Sequence, residues 1–209
     1  MLTLVIETAT AACSVALLRG QEIVASTHEV VGRGHAERLV PMIAALPDQG
    51  RASHILVDVG PGSFTGVRVG LAAALGLAIG WQAEVRGYSS LALLAATGFA
   101  ASPQCPELAA ILEGGHGEVF MQSFTASPLT PEGPLQSLIP AAALAVLGQR
   151  PAIGNLRHLA ALDPDRTLIE ALPRAEDARL LAHDLASLPP RPIYGRAPDA
   201  KTLAERGLA

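Results

Sequence analysis

The sequence predicts an α/β protein of two lobes, each a mixed sheet with flanking helices, the second lobe reduced. Two observations carry this. Over residues 1–100 the hydrophobic pattern runs three strands, helix, strand, helix, strand, helix. From Leu108 the same order returns in weaker form, after Ala101–Pro106, which reads as a linker. The expected lobes are therefore residues 1–100 and 101–209, the last stretch being a short tail.

In the first lobe Leu2–Glu7, Cys13–Leu18 and Glu22–Thr27 are the predicted strands, with Arg19-Gly20-Gln21 as a hairpin turn. Gly32-Arg33-Gly34 breaks the pattern. His35–Leu46 then has a helical period that puts Leu39, Met42, Ile43 and Leu46 on one side, and Pro41 should kink it or remove one hydrogen bond. A strand at Ile55–Val59, a long helix, a short strand at Val85–Gly87 and a helix from Ser89 or Ser90 to about Phe99 complete the lobe. In the second, strands are predicted at Leu108–Glu113, Glu118–Thr125, Leu135–Ile139, Ala152–Ile153 and Thr167–Ile169. Ser127–Pro134 reads as a loop, and helices are expected at Ala141–Leu147, Leu156–Leu162 and Ala175–Leu188.

The long helix, from about Gly66 to Trp81, stands out by the sizes of its residues. Ser63 and Thr65 are both candidate N-caps, because a hydroxyl there accepts from a free N–H of the first turn. Gly66, Gly70, Ala74 and Ala78 fall four apart, as do Ala72, Gly76 and Gly80, while Leu71, Leu75 and Ile79 form a stripe of large residues. A mid-helix glycine costs about 0.5–1 kcal/mol relative to alanine, so something must approach this backbone closely. Two readings fit: the helix packs on its own sheet, or the large stripe faces inward and the small face meets another subunit. A membrane is not the expected neighbour, since only Val69–Trp81 is uninterrupted by charge and Arg68 precedes it.

Composition narrows the classes. Half the residues are hydrophobic and 16% are charged, which excludes disorder, and aromatics are only 3%. A net charge of −4 argues against extensive phosphate binding by this chain alone. Cys13 and Cys105 are too few for a disulfide framework or a metal site. The first residues, Met1-Leu2-Thr3, carry no basic segment, and Glu7 interrupts the first apolar run, so a cytoplasmic protein is expected.

Gly60-Pro61-Gly62-Ser63-Phe64-Thr65-Gly66 sits after a strand and before a helix, where free N–H groups suit an anion, but it lacks the Lys and Ser/Thr of a Walker loop. Glu7-Thr8 at a strand end occupies the place where actin-like kinases and ATPases position metal and phosphate, with Ala9 where those proteins have Gly. Glu7, Thr8, Gly60, Gly62 and Ser63 are therefore a possible vestigial nucleotide site. His35 and Glu37 share a helix, but Leu39 stands where a second His would be needed, so no metal is expected. Glu113, His116 and Glu118 flank a Gly-rich turn without a specific pattern, and neither Ser63 nor Ser89 lies in a nucleophile elbow. The spacing yields no catalytic set and no cofactor.

Ile6–Leu17, His35 to Met42 and the block Gly60–Gly70 (GPGSFTGVRVG) together resemble the bacterial TsaB (YeaZ) family. The likeness is clear over residues 1–100 and looser afterwards, apart from Gly117-Glu118-Val119-Phe120 and Pro192-Ile193-Tyr194. It implies an actin-like (ASKHA, ribonuclease H-like) two-lobe fold without independent catalysis. It also implies pairing with a catalytic subunit, TsaD, in threonylcarbamoylation of adenosine 37 of tRNA, an ATPase, TsaE, joining the pair, and contact with tRNA only through the partner. The family's subunit interface would fall on His35, Leu39, Met42, Ile43, Gly66, Val67, Gly70, Ala73, Ala74 and Leu77, with a homodimer on the same face when the chain is alone. Three departures, Glu7 for the usual Asp, Glu113-Gly114-Gly115 for Asp-Ala-Arg, and a short tail, weaken any ligand role. A weak ATPase or kinase of the actin-like superfamily is the alternative.

Overall fold

The computed structural model describes residues 1–165 and 168–195. Its frame is a pair of five-stranded mixed sheets. In the first, β1 (Leu2–Glu7), β2 (Ala12–Arg19) and β3 (Glu22–Val30) pair antiparallel in sequence, and β4 (His54–Asp58) and β5 (Glu84–Tyr88) add in parallel beyond β1. The order is β3-β2-β1-β4-β5. In the second, β6 (Glu107–Glu113), β7 (Val119–Thr125) and β8 (Thr130–Leu138) form the antiparallel meander, and β9 (Ala152–Gly154) and β10 (Leu168–Glu170) add in parallel beyond β6. Counted from β8, the second sheet has the order of the first. One topology is used twice, which is the actin-like plan the sequence predicts.

Helices α1 (His35–Ala44) and α2 (Phe64–Trp81) cover one face of the first sheet, where Leu4, Ile6, Val15, Ile55 and Val57 meet Leu39, Ile43, Val67 and Leu71. Burying each such side chain contributes about 1.5–3 kcal/mol. Helix α3 (Ser90–Ala101) is apolar all round because it lies between the sheets. Its Leu93 packs with Val5, Ala16 and Leu56, while Leu91, Leu94 and Ala95 pack with Leu108, Ala110 and Leu112. The short α4 (Pro140–Leu147) and α5 (Arg157–Leu162) cover the outer face of the second sheet over Ile111 and Met121.

The structure corrects the sequence at several elements. Helix α1, with Pro41 inside it, ends at Ala44, short of the expected Leu46. Most of Ser127–Pro134 is strand, since β8 starts at Thr130. Pro131 and Pro134 are tolerated there because β8 is an edge strand that needs no donor on its open side. Ala175–Leu188 is not a helix; only Ala175–Leu180 coils, as a 3-10 turn. Leu188 exchanges backbone hydrogen bonds with Gly87, 2.7 and 3.0 Å, and that bridge demands extended backbone. The segment is a strap that returns to the first lobe and lays Ala175 and Ala178 on its second face. Thr167 and the tail from Arg196 lie outside the described residues.

Candidate functional site

Helix α2 is turned opposite to the subunit reading. Ser63 caps it, accepting from Gly66 N at 3.2 Å. Gly66, Gly70 and Ala74 face the protein's own sheet. A Cβ on Gly66 would collide with the Thr8 carbonyl, and one on Gly70 with the Thr8 hydroxyl, so these glycines serve a close approach of helix to strand end. Leu71 is buried beside them, but Leu75 is 44% exposed and Ile79 83%. The outward face is Ala72, Leu75, Gly76, Ile79 and Gly80, and a Cβ on Gly76 or Gly80 would meet nothing within 4 Å.

None of the ten residues expected at an interface is fully exposed in the single chain. His35, Leu39, Met42, Ile43, Gly66, Val67, Gly70 and Ala74 are buried within the chain, and Ala73 and Leu77 are half-buried. His35 Nε2 lies 3.1 Å from the Ala12 carbonyl, a core contact. On α1 the exposed apolar side chain is instead Val40. By length and composition α2 could cross a membrane, yet its inward face is fixed to β1 and β4.

The five residues of the vestigial nucleotide site are close together, but their polar groups are already engaged. Glu7 and Thr8 are fully buried. Glu7 Oε1 accepts from Ala9 N at 2.8 Å, Thr8 Oγ1 donates to Gly66 O at 2.8 Å, and Ser63 N donates to Ala9 O at 2.6 Å. Ala12 N is taken by Thr10 Oγ1 at 3.2 Å. A Cβ on Gly62 would strike the Ala9 backbone, so the β1–β2 turn presses directly on the loop before α2. The turn and the loop are tied to each other and together form one wall of the space between the lobes. Gly60, at φ +97°, has its α-carbon packed toward the Ile193 carbonyl of the strap.

Between the lobes a cleft of about 800 Å³ remains, lined by the β1–β2 turn, the start of α2, the Gly114–Glu118 turn and the strap. At its rim the Arg68 guanidinium lies 3.4 Å over the Phe64 ring and donates to the Tyr194 hydroxyl at 3.0 Å. Such an exposed stack contributes about 0.5–1 kcal/mol. The sequence placed Phe64 and Arg68 one turn apart but could not bring Tyr194 to them. Glu113 accepts from Asn155 Nδ2 at 3.1 Å and lies 3.5 Å from His158 Nε2, and Glu118 accepts from Ser137 at 2.7 Å. Among the described residues no three His, Cys, Asp or Glu groups converge as metal ligands. Burial, reinforced by the charge of Glu29, pushes the Cys13 thiol up to about 11, so it is not a nucleophile.

These features define an actin-like two-lobe protein whose β1–β2 turn is tied to the loop before α2 and whose helix α2 turns an uncharged apolar face outward. The family model described as "TsaD: tRNA N6-adenosine threonylcarbamoyltransferase" matches residues 21–128. TsaB of Escherichia coli, a tRNA threonylcarbamoyladenosine biosynthesis protein, is 37% identical over 131 residues, 59% of this chain and 55% of that one. The chain spans about half the length of the curated TsaB relatives it matches. An uncharacterised protein of Mycobacterium tuberculosis is 30% identical over 96% of this chain and 94% of its own. YeaZ from Pseudomonas aeruginosa superposes with a TM-score of 0.77 at 28% identity, covering 92% of this chain and 99% of that structure. The chain belongs to the TsaB/YeaZ family.

Proposed function

We propose that the protein is a non-catalytic subunit in the threonylcarbamoylation of adenosine 37 of tRNA, pairing in the cytoplasm with a TsaD-related catalytic subunit. The observation that supports this most is that the polar groups of the β1–β2 turn and of the loop before α2 are spent on each other. In a member of this family, Glu7 and Thr8 are buried and bonded to Ala9 and Gly66, and Ser63 N is bonded to Ala9 O. A subunit without its own chemistry acts by its surface. The outward face of α2 carries no charge after Arg68, and Ala72, Gly76 and Gly80 leave its backbone open to close approach. With Val40 of α1 it forms the docking face for the partner, and for a second copy of this chain when the partner is absent. Because one face serves both, homodimer and heterodimer compete. A TsaE-like ATPase joins the pair, tRNA is reached through the partner, and no membrane takes part.

A weak ATPase is the reading to test against, because the inter-lobe cleft is large enough for a nucleotide. The isolated chain is expected to turn over no ATP. Turnover above about 1 s⁻¹ that disappears in Glu7→Ala would sink the scaffold reading.

A further inference from the structure

The proposed function leaves unused a completely enclosed group of titratable side chains, Glu7, Asp58 and Tyr88, on the adjacent strands β1, β4 and β5. They lie at the strand ends that lead into the two cleft loops. Glu7 Oε1 holds Ala9 N, and its Oε2 accepts from the Tyr88 hydroxyl at 3.1 Å. Asp58 Oδ1 accepts from Gly60 N and from Ser90 Oγ at 2.9 Å, and Ser90 N in turn donates to Gly60 O at 3.2 Å. Asp58 Oδ2 is buried without a partner. Glu7 and Asp58 follow the paired Ile6 and Val57, side by side at the ends of adjacent parallel strands.

Among the described residues no cation is hydrogen-bonded to either carboxyl. The titratable groups beside Glu7 are Asp58 from β4 and Tyr88 from β5, both acids, and β2 sets the neutral Ser14 opposite it. Helix α3 brings only the neutral Ser90, and Gly66 and Gly70 of α2 bring no side chain. The turn Ala175–Leu180 packs on the same face, against Tyr88; its Glu176 and Asp177 engage Ser26, Arg174 and Thr97, and its Arg179 Nε is buried without a partner. Two ionised carboxylates side by side in a low-dielectric interior would repel each other strongly, on top of their desolvation.

We propose that Glu7 and Asp58 share one proton, and that this proton fastens the β1–β2 turn to the Gly60–Ser63 loop beneath the start of α2. Protonated Glu7 donates to Asp58 Oδ2, which gives the orphaned oxygen its partner. The pair titrates as a unit. Burial first, then the charge of Asp58, holds the Glu7 carboxyl well above the usual carboxylate range, and burial pushes Asp58 up as well. A raised carboxyl stabilises the fold fully below its unfolded value, near ~4.3. That contribution is lost as pH rises through the folded value. Alkaline conditions therefore loosen both cleft loops.

The test is hydrogen exchange at the amides of Ala9, Gly60 and Ser63 between about pH 5 and about pH 9, where free carboxyls are already ionised. Rates are corrected for intrinsic exchange, and amides of β6 and β7 serve as internal reference. In the wild type, protection at the three amides is expected to fall about tenfold per pH unit above the folded value, the slope of an opening that releases one proton. In Glu7→Gln, whose amide always donates, it should stay flat. Protection independent of pH in the wild type, or a Gln variant that follows the wild-type slope, overturns the proposal. The carboxyl carbon resonances of the wild type give a second readout that needs no variant. At the acid end of this range, where free carboxyls are already ionised, one of the pair must report a neutral acid, unchanged by added magnesium. Two carboxylates, or an acid signal that magnesium removes, contradicts the shared proton.

Discussion

Gly70→Leu is expected to unfold the protein or lower its stability by more than about 3 kcal/mol, whereas Gly76→Ala, six residues along the same helix, should raise it. At Gly70 even a Cβ collides with the Thr8 hydroxyl, and Ile6 and Val57 close the remaining sides at 3.5 Å. Overpacking a tight core costs about 1–3 kcal/mol for modest insertions. Here a whole isobutyl group must enter against the end of β1. Thr8 cannot yield cheaply, because its hydroxyl holds the Gly66 carbonyl. Gly76 points into open space, so alanine there gains the usual helix preference of about 0.5–1 kcal/mol. Urea denaturation of the two variants checks both. Equal losses at the two positions would mean that α2 is not oriented as described.

Ile79→Asp is expected to leave the monomer's melting temperature within a few degrees of wild type and to weaken association by more than about 100-fold. Ile79 projects into solvent in the single chain, so a charge there costs the fold little. Once covered by a partner the same carboxylate has no counter-ion on α2, whose nearest charge is Arg68, three turns away. Burying an uncompensated charge costs about 3–5 kcal/mol, and each 1.4 kcal/mol is tenfold in affinity. Sedimentation of the variant alone should show monomer. Wild-type association by the variant would remove α2 from the interface.

The alternation of elements, the hairpin at Arg19–Gln21 and the repeat of one lobe in the other were readable from hydrophobic period and turn residues. The orientation of α2 was not. Its residues are small or apolar on every side, and two glycine–alanine stripes compete for the core. A signal was present nonetheless. Arg68, Ala72, Gly76 and Gly80 are four apart, so the helix's charged residue marks its outward stripe. On α1 the same logic applies: Leu39, Met42 and Ile43 lie on the core side because Glu37 and Arg38 lie away from it, Arg38 paired with Glu29 at 2.6 Å. The strap's extended course, its bridge to Gly87 and the Arg68–Tyr194 contact join residues about a hundred positions apart, which no local pattern encodes.

The claim that the chain works by docking through one face is tested most directly by mass. Light scattering of the purified chain at micromolar concentration, then after titration with its TsaD-related partner, distinguishes the arrangements. The account predicts a dimer that dissolves into a one-to-one pair as partner is added, with Ile79→Asp forming neither species. A homodimer that persists intact inside a larger assembly, or a one-to-one pair that the Ile79 variant forms as tightly as wild type, contradicts it.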